Sequence, residues 1–157
     1  MSPRRDAAAP RSGEFFAPLP LLALVLLVVN DTVLKPKLHS ELTGKLSDIA
    51  VCFLMPLFVS ELLGLALAMR PSLRLGLGAT ITATLYTLLE VWPPFTRFAL
   101  ELLSGIGPWL GIERPFRMTS DVTDLYCLAL IPLAVLYGNR RLDASRARTG
   151  NGPNARG

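Results

Sequence analysis

Four long apolar runs, separated by shorter polar connections, set the pattern of this chain. A helix that crosses the hydrocarbon core of a membrane, ~30 Å thick, uses about 20 residues, and each run is close to that length. We therefore predict helical spans over residues 15–34, 49–69, 75–92 and 122–138. The predicted fold class is all-α, a four-helix transmembrane bundle that occupies residues 15–138.

The connections between the runs predict how the spans follow one another. The second connection contains only residues 70–74 and predicts a tight helical hairpin. The third is longer, and its apolar residues recur near helical spacing at Phe95, Phe98, Leu102 and Leu103. With Arg97 and Glu101 between them, these residues predict a short amphipathic helix at the membrane interface between spans 3 and 4.

Both ends of the chain are polar and lack apolar periodicity. Residues 1–14 predict a disordered cytoplasmic tail, and residues 139–157 predict a disordered basic tail. A secretory signal peptide is the alternative for the first run, but the run ends in Asn30-Asp31 without a small-residue cleavage site. We therefore interpret the first run as a span that stays in the protein.

The composition agrees with an integral membrane protein, and the distribution of Lys and Arg predicts its orientation. Of the 157 residues, 51% are hydrophobic and 18% are charged, and the mean hydropathy is +0.43, which is too apolar for an ordinary soluble domain. Ten of the 16 Lys and Arg residues lie in the tails and the second connection. The positive-inside rule then predicts both termini in the cytoplasm and the two longer connections outside. This distribution explains the net charge of +4 without a nucleic-acid partner.

Acidic residues stand in or at the end of every predicted span, where a charge is costly unless it has a partner or a purpose. These residues are Asp31, Asp48, Glu61, Glu90, Asp121 and Asp124. Asp48, Asp121 and Asp124 are predicted to open helices, where a carboxylate accepts free backbone N–H groups. Asp31 and Glu90 close helices, where the helix dipole disfavours an acid, so capping does not explain them.

Two interpretations of Asp31 and Glu90 stay open. In the first, both are solvated charges, with Asp31 paired with Lys35 and Glu90 paired with Arg97 or hydrated. In the second, they converge with other acids at the same depth around a cation, a substrate amine or a lysine. The candidate ligand-binding residues are then Asp31, Lys45, Asp48, Glu90 and Asp124, with Lys45 paired with Asp48 or Asp31 in the resting state.

Glu61 differs from the other acids because it lies about 12 residues into the second span and should face protein. The third span offers a stripe of small and hydroxyl-bearing residues, Gly76, Thr80, Thr84 and Thr87, that would permit close packing and hydrogen bonds to Glu61. The alternatives are a structural hydrogen bond and a role in proton relay or transport.

The sequence contains no metal or cofactor motif that would favour a known enzyme class. His39 is the only histidine and lies outside any zinc-ligand spacing, and Cys52 and Cys127 lie in apolar runs as packing residues. We expect no cofactor and no dedicated metal ligand. Binding of Mg²⁺ or Ca²⁺ by carboxylates alone stays open.

Three short motifs carry a resemblance to a known group of proteins. They are Asn30-Asp31 with Leu34-Lys35, then Leu42-Thr43-Gly44-Lys45-Leu46-Ser47-Asp48, and finally Asp121-Val122-Thr123-Asp124-Leu125. Together they resemble a family of small bacterial multi-pass membrane proteins, over Asn30 to about Leu136. The chain departs from that family where Ile49-Ala50-Val51 stands in place of Phe-Ala-Gly. The resemblance implies a multi-pass membrane fold and no particular activity.

The layout is also similar, more distantly, to that of VanZ-like proteins. That layout has four short spans, a charged motif opening the second, a Glu and then an Arg around the end of the third, and an Asp opening the fourth. The matching residues are Lys45, Asp48, Glu90, Arg97 and Asp121 or Asp124. The His and Gln of VanZ-like proteins are missing, so the glycopeptide-resistance role of that family is not expected here.

We therefore predict a non-enzymatic membrane protein whose outward polar cluster binds a small cationic or polar ligand, or docks a partner in the cell envelope. One alternative is a membrane-embedded enzyme that acts on a lipid-linked substrate through paired carboxylates. Another is a small proton-coupled transporter subunit that uses Glu61 and must oligomerise. The expected partners are the lipid bilayer and another membrane protein or a second copy of the chain.

Overall fold

The computed structural model of the chain describes residues 15–38, 41–110 and 122–150. The predicted N-terminal tail, the last seven residues, His39 and Asp121 lie outside this part of the chain. The described residues are almost entirely helical and contain no strand. The predicted all-α class is confirmed.

Six α-helices and three segments of other helical geometry follow one another along the chain. The α-helices are α1 Pro18–Val29, α2 Lys35–Leu38, α3 Glu41–Ala66, α4 Pro71–Val91, α5 Pro93–Ile106 and α6 Leu130–Gly150. A π-helical turn, Asn30–Leu34, joins α1 to α2. A 3₁₀ turn, Gly107–Leu110, follows α5, and a 3₁₀ helix, Val122–Ala129, leads into α6.

Three stretches of helix are long and apolar enough to cross a membrane: Pro18–Leu38, Leu42–Ala66 and Val122–Ser145. A fourth crossing is formed if α4 and α5 count as one span, although the two helices meet at an angle of 107°. Pro93 and Pro94 explain the break, because a proline at a helix start is tolerated and a helix cannot run through it undisturbed. The protein is therefore a helical membrane protein.

Helix α3 is the centre of the bundle and contacts α1, α4 and α6. In the apolar stretch of α3, 39% of the residues are buried, whereas only 11% are buried in the first span. Two clusters form the core. One contains Cys52, Tyr86, Cys127 and Ile131, and the other contains Phe53, Leu57, Leu75 and Ala134. Apolar side chains such as Leu22 and Val25 remain exposed, as expected for surfaces that face lipid.

Helices α3 and α4 meet along one antiparallel row of residues, which we call the α3–α4 seam. On α3 the row is Asp48, Cys52, Pro56, Ser60 and Gly64, and on α4, in the reverse direction, it is Glu90, Tyr86, Thr82, Gly78 and Arg74. Both rows have a spacing of four residues, which is the ridge that helices most commonly use to pack. Gly64 lies against Arg74 and Ser60 lies against Gly78, while Cys52 and Tyr86 share a core cluster, which fixes the register.

The closest approach along the α3–α4 seam is a contact between backbones. A Cβ atom at Gly78 would lie 2.5 Å from the carbonyl oxygen of Pro56 and 3.0 Å from the amide nitrogen of Ser60. Both neighbours are main-chain atoms and cannot rotate away. Residue 78 must therefore lack a side chain for the two helices to touch here.

The structure corrects two predicted boundaries. Helix α3 already begins at Glu41, so Asp48 lies two turns inside it and does not cap its N-terminus. Helix α6 continues to Gly150, which contradicts the predicted disorder of residues 139–150. Ala, Leu and Arg in this segment favour helix, no Gly or Pro interrupts it before Gly150, and Leu142 is only 4% exposed against the bundle.

The amphipathic helix in the third connection is confirmed as α5, Pro93–Ile106. The Thr96 hydroxyl donates a hydrogen bond to the Leu89 carbonyl oxygen at 2.6 Å and so ties α5 back to the end of α4. Trp92 and Phe95 stack at the corner with ring centroids 6.3 Å apart. These contacts hold α5 across the end of α4 that carries Glu90.

Candidate functional site

A buried asparagine fastens the end of the first span to α3. Asn30 is completely buried where α1 widens into the π-helical turn. Its Nδ2 donates to the carbonyl oxygen of Thr43 at 2.6 Å and to the Oγ of Ser47 at 2.8 Å. A buried amide is costly unless it is hydrogen-bonded, and these two bonds satisfy the Nδ2 group, whereas Oδ1 is buried and accepts no hydrogen bond from a described residue.

The next residue extends this network to a charge. The Ser47 hydroxyl donates to Oδ1 of Asp31 at 2.6 Å, and Nζ of Lys35 lies 3.8 Å from the same oxygen. The predicted pairing of Asp31 with Lys35 across one helical turn is confirmed. Because both side chains are about half exposed, the pair is partly solvated, and Asp31 is compensated within its own segment.

Three further carboxylates come together at the same end of the bundle, which we call the carboxylate end. They are Asp48 of α3, Glu90 of α4 and Asp124 of the 3₁₀ helix, and we call them the carboxylate trio. Asp48 and Glu90 are the facing residues at this end of the α3–α4 seam, and the Tyr86 hydroxyl, one turn before Glu90, donates to the backbone carbonyl oxygen of Asp124. The three carboxylates are therefore neighbours at the carboxylate end.

The carboxylate trio lies over a closed core layer. The Tyr86 hydroxyl donates to the backbone carbonyl oxygen of Asp124 at 3.4 Å, and Tyr86 and Cys127 belong to the same core cluster. Both Cys127 and Cys52 are buried free thiols in this layer, in agreement with a packing role. Oδ1 of Asp124 is buried and accepts no hydrogen bond in the described part of the chain.

The trio does not form a ready coordination shell. Among the described residues, no group of three or more His, Cys, Asp and Glu side chains is arranged to hold a metal ion.

Lys45 does not have the role expected of it. The sequence predicted that it pairs with Asp48 or Asp31, but neither carboxylate forms an ion pair with it, and its side chain is exposed on α3. The predicted pairing with Asp31 was wrong because Lys35, one helical turn beyond Asp31, forms the ion pair with it instead. Lys45 nevertheless stays at the carboxylate end, three residues before Asp48.

Glu61 lies at the opposite end of the bundle, which we call the ion-pair end. Its Oε2 is 4.0 Å from Nη1 of Arg74, and the side chains of Glu61 and Arg74 are only 17% and 6% exposed. Gly64 makes room for this pair, because a Cβ there would collide with the Arg74 guanidinium. Glu61 is five residues from the end of α3, about 8 Å along the helix axis.

The predicted partner surface for Glu61 lies on the wrong side of α4. Gly76, Thr80 and Thr84 are exposed, and the Thr80 hydroxyl donates to the Gly76 carbonyl oxygen of its own helix at 3.0 Å. The surface that packs on α3 is the row with Gly78 and Thr82. Small residues occur on both faces, so the sequence contained no signal that separated them.

Asn30, Ser47 and Arg74 were missed as members of these polar contacts. Asn30 could have been found, since an amide at the end of an apolar run is costly without a partner. Arg74 was assigned to a connection although it lies within the first turn of α4. Arg70 and Arg74 both lie close to the end of a span, four residues apart. The sequence does not indicate which of the two side chains turns into the bundle.

The chain is thus a helical membrane protein in which one helix pair, α3 and α4, has buried polar contacts at both of its ends. Comparisons with models of protein families, with curated proteins and with solved structures found no match for this chain.

Proposed function

We propose that this is a multi-pass protein of a bacterial cytoplasmic membrane that binds a small organic cation at its carboxylate end. The observation that carries the proposal is that the register of the α3–α4 seam places Asp48 opposite Glu90, while the hydrogen bond from Tyr86 holds the segment of Asp124 beside them. Neighbouring carboxylates repel one another, and in a membrane this repulsion is relieved by a cation or a proton. A cationic ligand would relieve the repulsion among these carboxylates.

The chemistry of the trio favours an ammonium group over a metal ion. The buried Oδ1 of Asp124 accepts no hydrogen bond from a described residue, and a protonated amine brings both charge and N–H donors. The described acids are not grouped for metal coordination. A ligand with one or two amino groups therefore satisfies the carboxylates better than Mg²⁺ or Ca²⁺.

The alternative of a proton-coupled transporter rests on Glu61. The contact of Glu61 with Arg74 across the helical hairpin supports a structural role for this acid instead. A buried ion pair that joins α3 to α4 is accounted for by its structural role. Binding at the carboxylate end is the function that the charges support best.

Binding is tested with the purified protein in nanodiscs of phosphatidylcholine by titration calorimetry. The probes are a diamine, a quaternary ammonium ion that lacks N–H donors, Mg²⁺ and Ca²⁺. We expect the diamine to bind, and Asp48→Asn and Asp124→Asn each to weaken it roughly tenfold or more, as for the loss of a charged hydrogen bond.

The matched control is Glu101→Gln, which removes an exposed carboxylate on α5 outside the trio. The control should leave diamine binding unchanged. If no probe binds, or if the control weakens binding as much as Asp48→Asn, the proposed site is wrong. Stronger binding of Mg²⁺ or Ca²⁺ than of the diamine would overturn the ligand class.

The proposed orientation places both termini in the cytoplasm and the carboxylate end outside. It is tested with single cysteines at Val122, beside the trio, and at Ala144, near the end of α6, in a chain without Cys52 and Cys127. Both positions are exposed. In intact cells, a membrane-impermeant thiol reagent should label position 122 and spare position 144. The reverse pattern would place the carboxylate end in the cytoplasm.

A further inference from the structure

Two hydroxyl groups inside the α3–α4 seam have no hydrogen-bond partner among the described residues. They are the Oγ of Ser60, a residue that is completely buried, and the Oγ1 of Thr82, a residue that is 5% exposed. A buried hydroxyl is costly unless it is hydrogen-bonded. The hydroxyls of Thr32 and Thr80 donate to the carbonyl oxygen four residues earlier in the chain. The Thr82 hydroxyl does not follow this pattern, so its proton is available to another acceptor.

The main chain of α3 contains a carbonyl group that lacks its usual partner. Pro56 lies inside α3 and has no backbone N–H. The carbonyl oxygen of Cys52, four residues earlier, therefore loses the bond that an uninterrupted helix would give it. The proline ring occupies the position of the missing N–H group and keeps this turn of the helix open. Both Cys52 and Pro56 are fully buried, so the carbonyl group needs a partner inside the protein.

The register of the α3–α4 seam places Thr82 beside this carbonyl group. One turn before Thr82, Gly78 packs on the main chain at Pro56. One turn after Thr82, Tyr86 shares a core cluster with Cys52. Because the two helices are antiparallel, Thr82 lies between these two contacts and faces the turn that Pro56 interrupts. A buried donor on α4 and a buried acceptor on α3 are thus neighbours across the seam.

We propose that the α3–α4 seam binds one ordered water molecule, which accepts a hydrogen bond from the Thr82 hydroxyl and donates one to the Cys52 carbonyl oxygen. No described group lies within hydrogen-bond distance of Oγ1 of Thr82, and a polar pair beyond that distance is where a bridging water is found. In membrane helices, hydroxyl side chains and ordered waters satisfy the carbonyl groups that a proline frees. Buried waters typically have about two to four polar partners, and this site supplies two.

The water site is separate from the carboxylate end. Thr82 precedes Glu90 by two helical turns, about 12 Å along the axis of α4. The site therefore does not depend on the ligand that we propose at the carboxylate end. It also does not depend on the direction in which the protein is inserted.

The water is detected directly by solid-state nuclear magnetic resonance of the full chain in phosphatidylcholine bilayers. Magnetisation that starts on water should reach Thr82, and it should not reach Ala134, which is 0% exposed in the apolar core. In the variant Pro56→Ala, the Cys52 carbonyl regains an N–H partner in its own helix, so the transfer to Thr82 should be lost. If no transfer to Thr82 occurs in the unmodified chain, the proposal is wrong.

The unfolding temperature in nanodiscs gives a second test, and its sign depends on the proposal. Thr82→Val keeps the shape of the side chain and removes its hydroxyl. If that hydroxyl held nothing, the change would remove an unsatisfied buried group and raise the unfolding temperature. We expect a decrease of about 3–8 °C instead, because the Cys52 carbonyl group loses the water that satisfies it. An unchanged or higher temperature would overturn the site.

The matched control is Ser60→Ala, which removes the other unpartnered hydroxyl of the seam. No proline frees a carbonyl group beside Ser60, so the unfolding temperature should stay the same or rise. A decrease as large as that of Thr82→Val would contradict the proposal. When Pro56→Ala is already present, adding Thr82→Val should no longer lower the unfolding temperature. A decrease in Thr82→Val without water transfer to Thr82 in the unmodified chain would indicate a direct bond between hydroxyl and carbonyl, and the water site would be wrong.

Discussion

The two ends of the α3–α4 seam differ in the signs of the charges that they bring together. At the ion-pair end, Glu61 and Arg74 are both mostly buried and lie 4.0 Å apart, and Gly64 leaves the space that the guanidinium fills. At the carboxylate end, Asp48 and Glu90 stand opposite each other, and Asp124 adds a third negative charge. The same helix pair therefore ends in an attraction on one side and in a repulsion on the other.

This difference separates a structural contact from a candidate site. A buried charge that is compensated by its own neighbours requires nothing more from its surroundings. A group of like charges lowers the stability of the fold, and such groups are more frequent at binding and catalytic centres than elsewhere in proteins. The comparison makes predictions of opposite sign for the two ends.

The largest effect is expected at the ion-pair end. Glu61→Gln leaves Arg74 buried without its carboxylate, and a guanidinium does not lose its proton, so we expect a loss of about 3–5 kcal/mol in unfolding free energy. Arg74→Met should cost less, because the remaining carboxyl group can become neutral by taking up a proton. Thermal unfolding in nanodiscs measures both.

The double variant Glu61→Gln, Arg74→Met serves as the control for this prediction. It should be more stable than Glu61→Gln alone, since no uncompensated charge is left. If the loss of unfolding free energy in the double variant equals the sum of the losses in the two single variants, the two residues do not interact.

The next effect is expected at the close contact in the seam. Gly78→Val drives a side chain into the main chain of Pro56 and Ser60 and should cost about 1–3 kcal/mol or more, as overpacking does. The matched control is Gly76→Val, because a Cβ at Gly76 meets no atom within 4 Å. Equal unfolding temperatures for the two variants would contradict the packing face assigned to α4.

A smaller effect with the opposite sign is expected at the carboxylate end. Asp48→Asn removes the repulsion from Asp124 and Glu90 and should stabilise the ligand-free protein by roughly 1 kcal/mol, which is the scale of such a repulsion near a protein surface. The same variant should lose diamine binding. Destabilisation by Asp48→Asn would mean that its charge is already compensated, and the contrast between the two ends would disappear.

The smallest effect concerns Lys45. Since it is exposed and pairs with neither Asp31 nor Asp48, Lys45→Met should change the unfolding free energy by no more than about 0.5 kcal/mol. Lys35→Met, which removes the partner of Asp31, is the comparison. A larger loss from Lys45→Met than from Lys35→Met would restore the sequence-based pairing.

The sequence predicted the features that depend on local pattern. Apolar runs of sufficient length gave the helices, and the spacing of Asp31 and Lys35 gave their ion pair, because both depend on residues within one segment. The amphipathic pattern around Phe95 and Phe98 gave α5. The depth of the acidic residues in the spans predicted that they lie at one end of the bundle. It did not predict which of them are in contact.

Features that depend on contacts between segments were predicted wrongly or missed. Helix α4 has small residues on two faces, and only packing against the main chain at Pro56 distinguishes Gly78 from Gly76. Arg74 meets Glu61 across a turn, so neither sequence spacing nor hydropathy identifies the pair. The continuation of α6 agrees with the local preference of Ala, Leu and Arg for helix, but the burial of Leu142 by other helices, which adds to that preference, is not encoded in the segment itself.

The contact of Gly78 with Pro56 sets the separation of α3 and α4 near the middle of the α3–α4 seam, with Asp48 and Glu90 toward one end of the row and Gly64 and Arg74 toward the other. The neighbours of Gly78 at this point are main-chain atoms, so no rotation of a side chain can change the spacing of the two helices. The backbone itself, and not the fit of side chains, therefore determines how far apart the two rows stand.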